Sequence, residues 1–259
     1  MSWHFPSRDM REVAARSRRF CFQSTGRTDC GQVRTLNEDA FLESPDAALW
    51  AVADGMGGHS GGDVASALVT RRLGRIARHA TAYALRREVA QQLKQANEEL
   101  LTLSQSSARG SMGATVAVLT ACDGYYSCTW AGDSRIYLLR RGRFRRITTD
   151  HSLVQSLIDV GEITPEEARR HSQAHVVTRA IGASSKLSLE TANGELEAGD
   201  RFLLCSDGLT SVLEDKQILS LIADVDKETA VDRLISNTLN DGAPDNVTVI
   251  IIDVASQGT

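Results

Sequence analysis

Short apolar runs closed by turn residues recur along this chain, and two longer stretches carry apolar side chains at helical spacing. The first pattern predicts strands and the second amphipathic helices. Strands are predicted at residues 19–24, 40–42 and 49–53. Helices follow at 63–79, with Val64, Ala67, Leu68, Leu73 and Ile76 on a stripe, and at 85–103, with Leu85, Val89, Leu93, Ala96 and Leu100. Each stripe needs a sheet or another helix to cover it. Further strands are predicted at 114–120, 125–131, 136–139 and 144–147, where the Asp123-Gly124 and Arg141-Gly142 turns mark hairpins.

Residues 150–182 break that rhythm and read as an inserted flap. A helix is predicted over 152–160, and Thr164 followed by Pro165 marks another helix start. Strands resume at 187–191 and 201–205, helices at 215–225 and 227–239, and an almost wholly apolar strand closes the pattern at 247–254. Hairpins imply antiparallel sheets, and two helix pairs can cover two sheet faces. The predicted fold is α+β, a four-layer α-β-β-α sandwich of two antiparallel β-sheets flanked by helix pairs.

Composition changes this picture little. The 259 residues are 42% hydrophobic and 24% charged with a net charge of −4, ordinary for a globular protein and no general invitation to nucleic acid or an anionic membrane. Cys21, Cys30, Cys122, Cys128 and Cys205 are odd in number and contain no CxxC pair. Reduced thiols in a cytoplasmic protein are therefore expected, rather than disulfides or a zinc ribbon. No apolar run approaches the ~20 residues of a membrane span. Residues 1–19 set Arg8, Arg11, Arg16, Arg18 and Arg19 against Asp9 and Glu12, without the apolar core of a secretory leader. They read as a basic N-terminal extension before a domain at 20–254 and a short tail at 255–259.

Candidate chemistry lies where acids meet strand ends. Asp54, Asp133 and Asp207 each follow an apolar run, whereas Glu38, Asp39 and Asp245 each precede one. In antiparallel neighbours, one strand's end lies beside the next strand's start, so these acids are predicted to share one end of the sandwich. Clustered carboxylates repel one another unless cations bind. All-oxygen ligation suits Mg²⁺ or Mn²⁺, and no His/Cys ligand set competes. The glycines after Asp54 let the backbone turn sharply. They form no nucleotide loop, because no Gly-Lys-Ser/Thr follows.

An ordered set of motifs carries a resemblance. It comprises residues 28–39, Asp54-Gly55-Met56-Gly57-Gly58-His59, Ser111-Met112-Gly113-Ala114-Thr115, Ala131-Gly132-Asp133-Ser134-Arg135, Asp150-His151, Thr178-Arg179-Ala180-Ile181-Gly182, Cys205-Ser206-Asp207-Gly208-Leu209 and Asp245-Asn246. Across about residues 20–254 the chain resembles the metal-dependent PP2C (PPM) family of protein serine/threonine phosphatases in its compact bacterial form. The resemblance implies two Mn²⁺ or Mg²⁺ ions bridged by a water or hydroxide that attacks the phosphorus of phosphoserine or phosphothreonine. Asp54 would bridge both ions, and the Gly55 carbonyl would ligate one. Asp207 and Asp245 would hold the other, while Glu38 and Asp39 would complete the cluster largely through water. Asp133 matches an acid associated with a third, weaker ion. Arg34 matches the arginine that binds the substrate phosphate, and Asn246 would orient Asp245.

The same resemblance implies phosphorylated protein substrates, a cognate Hanks-type Ser/Thr kinase to oppose and, in some members, type VI secretion regulation; a monomer is expected. Two other readings compete: a non-catalytic phosphoprotein-binding regulator, and a two-metal hydrolase of small phosphoesters. Intact acids oppose the first, and the ordered motifs oppose the second. One departure stands out. Many eukaryotic members place a histidine, a candidate general acid, where this chain has Met56, which has no proton to donate. His59 is the nearest alternative donor, although a loop-packing role is expected of it. His151 and Arg179 are expected to be structural, with Arg179 anchoring the flap. Ser111, Thr115 and Ser134 are expected in packing and hydrogen-bonding roles.

Overall fold

The structure, a computed structural model, describes residues 20–57, 61–106 and 110–257. The basic extension and His59 lie outside the described residues. One sheet runs in the order β1 (Phe20–Asp29), β11 (Val247–Ser256), β10 (Arg201–Cys205), β7 (Arg135–Arg140) and β8 (Arg143–Arg146). The other runs β2 (Asp39–Ser44), β3 (Leu49–Gly57), β5 (Val116–Cys122), β6 (Tyr125–Ala131) and β9 (Glu190–Glu195), with β4 (Met112–Ala114) also paired to β3. The paired strands are antiparallel throughout.

Side-chain alternation builds three cores between four layers. On β3, Leu49, Ala51 and Ala53 face helices α1 (Gly62–Leu73) and α2 (Ala82–Ser106), whereas Trp50 and Val52 face the other sheet. On β11, Ile250 and Ile252 face the inter-sheet core. Val247, Val249 and Ile251 pack with α6 (Asp215–Ile222) and α7 (Lys227–Asn240). Strands covered on both faces are apolar at successive positions, which is why 49–53 and 247–254 read as unbroken apolar runs. The four-layer α-β-β-α fold expected from the sequence is the one observed.

Element limits differ where local pattern and tertiary pairing part. The first helix stops at Leu73, and Ile76 reaches the same core from beyond it. The strand expected at 187–191 lies instead at Glu190–Glu195. Leu187 and Leu189 mimic strand alternation but pack from an irregular segment, while β9 is a polar edge strand. The Asp123-Gly124 hairpin turn has both residues at positive φ, 56° and 78°, the geometry that favours glycine.

The flap carries α3 (Leu153–Asp159) and α4 (Pro165–Arg169), the latter closed by a capping box between Thr164 and Glu167. His151 is its hinge. The His151 amide donates to the Gly132 carbonyl at 2.9 Å, and the Gly132 amide donates back to His151 Nδ1 at 3.1 Å. His151 Nε2 meets Glu190 at 3.2 Å, and Arg179 donates to the same carboxylate at 2.8 Å. The flap's far end is held from α2. Asn97, 1% exposed, accepts from the Gly182 amide at 2.7 Å and donates to the Ser184 carbonyl at 2.9 Å.

Candidate active site

The acids singled out by the sequence meet at one end of the sandwich, and they come from both sheets. Asp39 opens β2 and lies directly opposite Asp54 on β3. Asp207 opens the short helix α5 (Asp207–Thr210), immediately beyond β10. Asp245 precedes β11, and Asp133 sits in the link between β6 and β7. Glu38 donates its amide to Asn246 Oδ1 at 2.8 Å, and its carboxylate accepts from the Gly62 amide at the start of α1 at 3.1 Å. Gly62 is glycine for space: a Cβ there would lie 2.5 Å from Glu38 Oε1.

The backbone at Asp54 departs from a regular ladder. Its carbonyl accepts from the Thr115 amide at 2.8 Å, but its amide donates to the Thr115 hydroxyl at 3.2 Å. Thr115 Oγ1 is in turn 2.7 Å from Ser134 Oγ. This local exchange separates β4 from β5, where the sequence predicted one strand. Met56 lies two pairs further along, opposite Gly113.

The electrostatics of this end are strained. Burial, then repulsion from Asp207, Asp39 and Asp133, holds the Asp54 carboxyl far above its ordinary range. Burial and Asp245 raise Asp207. Burial pushes Asp39 up to about 7, against the downward pull of hydroxyl bonds from Thr248 and Ser206. Asp133, 7% exposed, has Oδ1 buried without a hydrogen-bond partner among the described residues. Desolvation and like charge both penalise the ionised form.

Arg34 is the cation on this rim. Its Nη2 donates to Asp245 Oδ2 at 2.8 Å, with the two side chains 52% and 36% exposed. An ion pair so exposed is weak, so the guanidinium is free to exchange partners. Its loop is not loose. Asn246 Nδ2 donates to the Cys30 and Leu36 carbonyls, each at 2.9 Å, and the Gln32 amide donates to the Ala243 carbonyl at 2.9 Å. Asn246 therefore holds the Arg34 loop with its side chain; only its backbone amide bonds Asp245.

This donor set fits hard divalent cations. It is all oxygen, its inner carboxylates form no ion pair among the described residues, and it leaves a buried carboxylate oxygen unpartnered. Among the described residues no three acidic, imidazole or thiol groups form a closed metal shell. Mg²⁺-like ions need none, since they keep several waters and take one or two carboxylates each. Cys205, beneath the site, is excluded as a nucleophile because burial pushes its thiol up to about 12.

Sequence reading overlooked Ser206 and Thr248 as functional partners, although both hydroxyls bond Asp39. A signal existed: each is a lone hydroxyl in an apolar run, beside a singled-out acid or two residues from Asn246.

Comparisons with known proteins point to one family. A family model described as protein phosphatase 2C matches residues 28–245. The protein phosphatase PhpP of Streptococcus pneumoniae is 34% identical over 234 residues, which cover 88% of this chain and 95% of that protein. The serine/threonine protein phosphatase PstP of Mycobacterium tuberculosis is 37% identical over 229 residues, covering 88% of this chain but 44% of PstP. The chain thus spans less than half the length of that relative. The solved catalytic domain of PstP in complex with two manganese ions superposes with a TM-score of 0.84 at 34% identity, covering 91% of this chain and 99% of that one. The family match spans most of the sequence and includes every acid gathered here, Asp245 being its last residue. The chain belongs to the protein phosphatase 2C family.

Proposed function

We propose that this chain hydrolyses phosphoserine and phosphothreonine in proteins with the help of two Mn²⁺ or Mg²⁺ ions, and that residues 20–254 are the phosphatase domain. The observation that carries the reading is the convergence of Asp39, Asp54, Asp207 and Asp245 from two sheets, with Arg34 bonded to Asp245 at the rim. Asp54, the Gly55 carbonyl, Asp207 and Asp245 would hold the two ions. Glu38 and Asp39 would complete the set, and Asp133 would offer its unpartnered oxygen to a third, weaker ion. When bound, the cations lower the pKa of a water and neutralise charge on the phosphoryl oxygens.

The protein's own residues do the rest. Arg34 leaves Asp245 and presents its planar fork to the phosphate, a geometry suited to bidentate contact. That contact strengthens as charge builds on the phosphoryl oxygens. Met56 has no proton to give, so the leaving serine or threonine oxygen draws its proton from water. Substrates are phosphorylated proteins, and the opposing partner is the Ser/Thr kinase that makes them.

The test is turnover of p-nitrophenyl phosphate and a phosphothreonine peptide, with Mn²⁺ and with EDTA. Metal-dependent phosphate release from both supports the reading. No release under any metal, or release from nucleotides but not the peptide, overturns it.

A further inference from the structure

Thr248 and Ser206 are both fully buried, with 0% exposure. Buried hydroxyls are costly unless bonded, and here their bonds lead to a single atom. Thr248 Oγ1 donates to Asp39 Oδ2 at 2.6 Å, and Ser206 Oγ donates to the same oxygen at 2.7 Å. A hydroxyl has one hydrogen. Thr248 has spent its own on Asp39, so in the 2.7 Å contact between Thr28 and Thr248 the donor is Thr28. Thr28 then accepts, and Asn37 Nδ2 donates to it at 2.8 Å. The Asn37 amide cannot be reversed, because its Oδ1 accepts from the Asp39 backbone amide at 3.0 Å. Ser206 Oγ accepts from the Thr248 amide at 3.0 Å. Every hydroxyl hydrogen is committed, and the chain runs one way: Asn37 to Thr28 to Thr248 to Asp39.

This chain also crosses the sandwich. Asp39 belongs to the sheet that carries Asp54. Thr28 and Thr248 belong to the other sheet, and Ser206 and Asp207 follow its strand β10. The hydroxyls therefore tie together the two halves of the acid cluster.

We propose that Thr248 and Ser206 are positioning residues for cation binding. They saturate Asp39 Oδ2 and leave Oδ1 for a divalent cation or its water. The strap they form sets the spacing between Asp39–Asp54 on one sheet and Asp207–Asp245 on the other. The proposal rests on the reading of Asp39 as part of the cation-holding set.

The test compares Thr248→Val, which keeps the shape and loses the hydroxyl, with Thr248→Ser, which keeps the hydroxyl. Mn²⁺ binding to the whole chain is measured by calorimetry, beside a thermal melt in EDTA. Loss of an outer partner of a metal ligand typically weakens affinity by roughly 10–100-fold. That loss is expected for Thr248→Val and Ser206→Ala, with Thr248→Ser within a few-fold of the parent. Unchanged Mn²⁺ affinity in Thr248→Val, or equal weakening in Thr248→Ser, overturns the proposal; should Thr248→Val fail to fold, Ser206→Ala decides it. Asp39→Asn separates the two layers. If it binds weakly while Thr248→Val binds normally, the positioning role fails and the ligand reading stands. If Asp39→Asn binds normally, both fail.

Discussion

Asp200 and Asp207 stand at the two ends of strand β10, and their surroundings are opposite. Asp200, 1% exposed, is gripped by Arg140 through two 2.6 Å bonds, one to each carboxylate oxygen, and also accepts from the Glu197 amide at 2.9 Å. Its neighbour Arg201 pairs with Asp253 in the same forked manner, at 2.6 and 2.7 Å. Asp207 has no ion pair among the described residues and faces Asp54 and Asp245 instead. The distal end is electrically complete within the protein. The other end is incomplete, and the fold tolerates it because three apolar cores hold the strands in place regardless. A preorganised deficit of positive charge is what a cation site requires.

Substitutions at the two ends should therefore separate function from stability. The largest effect is expected from Asp54→Ala or Asp207→Ala: turnover falls by at least about a hundred- to a thousandfold, the scale of losing one preorganised electrostatic group. The EDTA melt of these variants stays at or above the parent's, because a repelling carboxylate is gone. Retained turnover in steady-state assays breaks the contrast. Asp200→Ala should do the reverse. Arg140 keeps Glu197 as an ion partner, so losing the charged hydrogen bonds to Asp200 costs about 1.5–3 kcal/mol, read by denaturant unfolding, while turnover per folded molecule is kept.

Cation removal comes next. A ligand present at a hundred times its dissociation constant stabilises by about 2.7 kcal/mol, so calorimetric melts should drop on chelation by a corresponding amount. The metal-free protein should also show an inverted pH response. Asp39 is pushed up to about 7 from an ordinary 3.8. Between those values the folded state holds a proton that the unfolded chain has lost, so stability falls as pH rises from about 4 to about 7 and levels off above. Saturating Mn²⁺ should remove that decline; metal-free stability that rises with pH across this window contradicts the strain assigned to the cluster.

The smallest effect belongs to the flap hinge. Burial and the nearby Arg179 hold His151 below its ordinary range. Below the unfolded-state value of about 6.5 the unfolded chain gains a proton that the folded one resists, so this residue makes stability fall as pH drops from there. Removing a buried hydrogen-bonding group costs about 1–3 kcal/mol. His151→Ala should lose that amount and flatten the acid side of the stability curve, as measured by urea titration at several pH values.

Much of this was legible in the chain. Continuous apolar runs at 49–53 and 247–254 read as strands because both of their faces are covered, and helical stripes such as Leu85–Val89–Leu93 read as core because they are. Asp54, Asp207 and Asp245 could be singled out because each adjoins such a run. Polar edge strand β9 could not be read, since an edge imposes little pattern, and Leu187 and Leu189 imitated it from outside.

The sequence by itself determined most of the elements, their layers and the acids at the strand ends, because periodicity and strand-end chemistry are local properties. Tertiary structure alone decided which groups meet across the sandwich. Thr28, Asp39, Ser206 and Thr248 are separated by as many as 220 positions yet share one hydrogen-bond network. Asn246 turned its side chain to the Arg34 loop rather than to its neighbour Asp245. Register and sheet stacking set such contacts, and hydrogen-bond satisfaction in a buried space chooses among them; neither leaves a local mark on the chain.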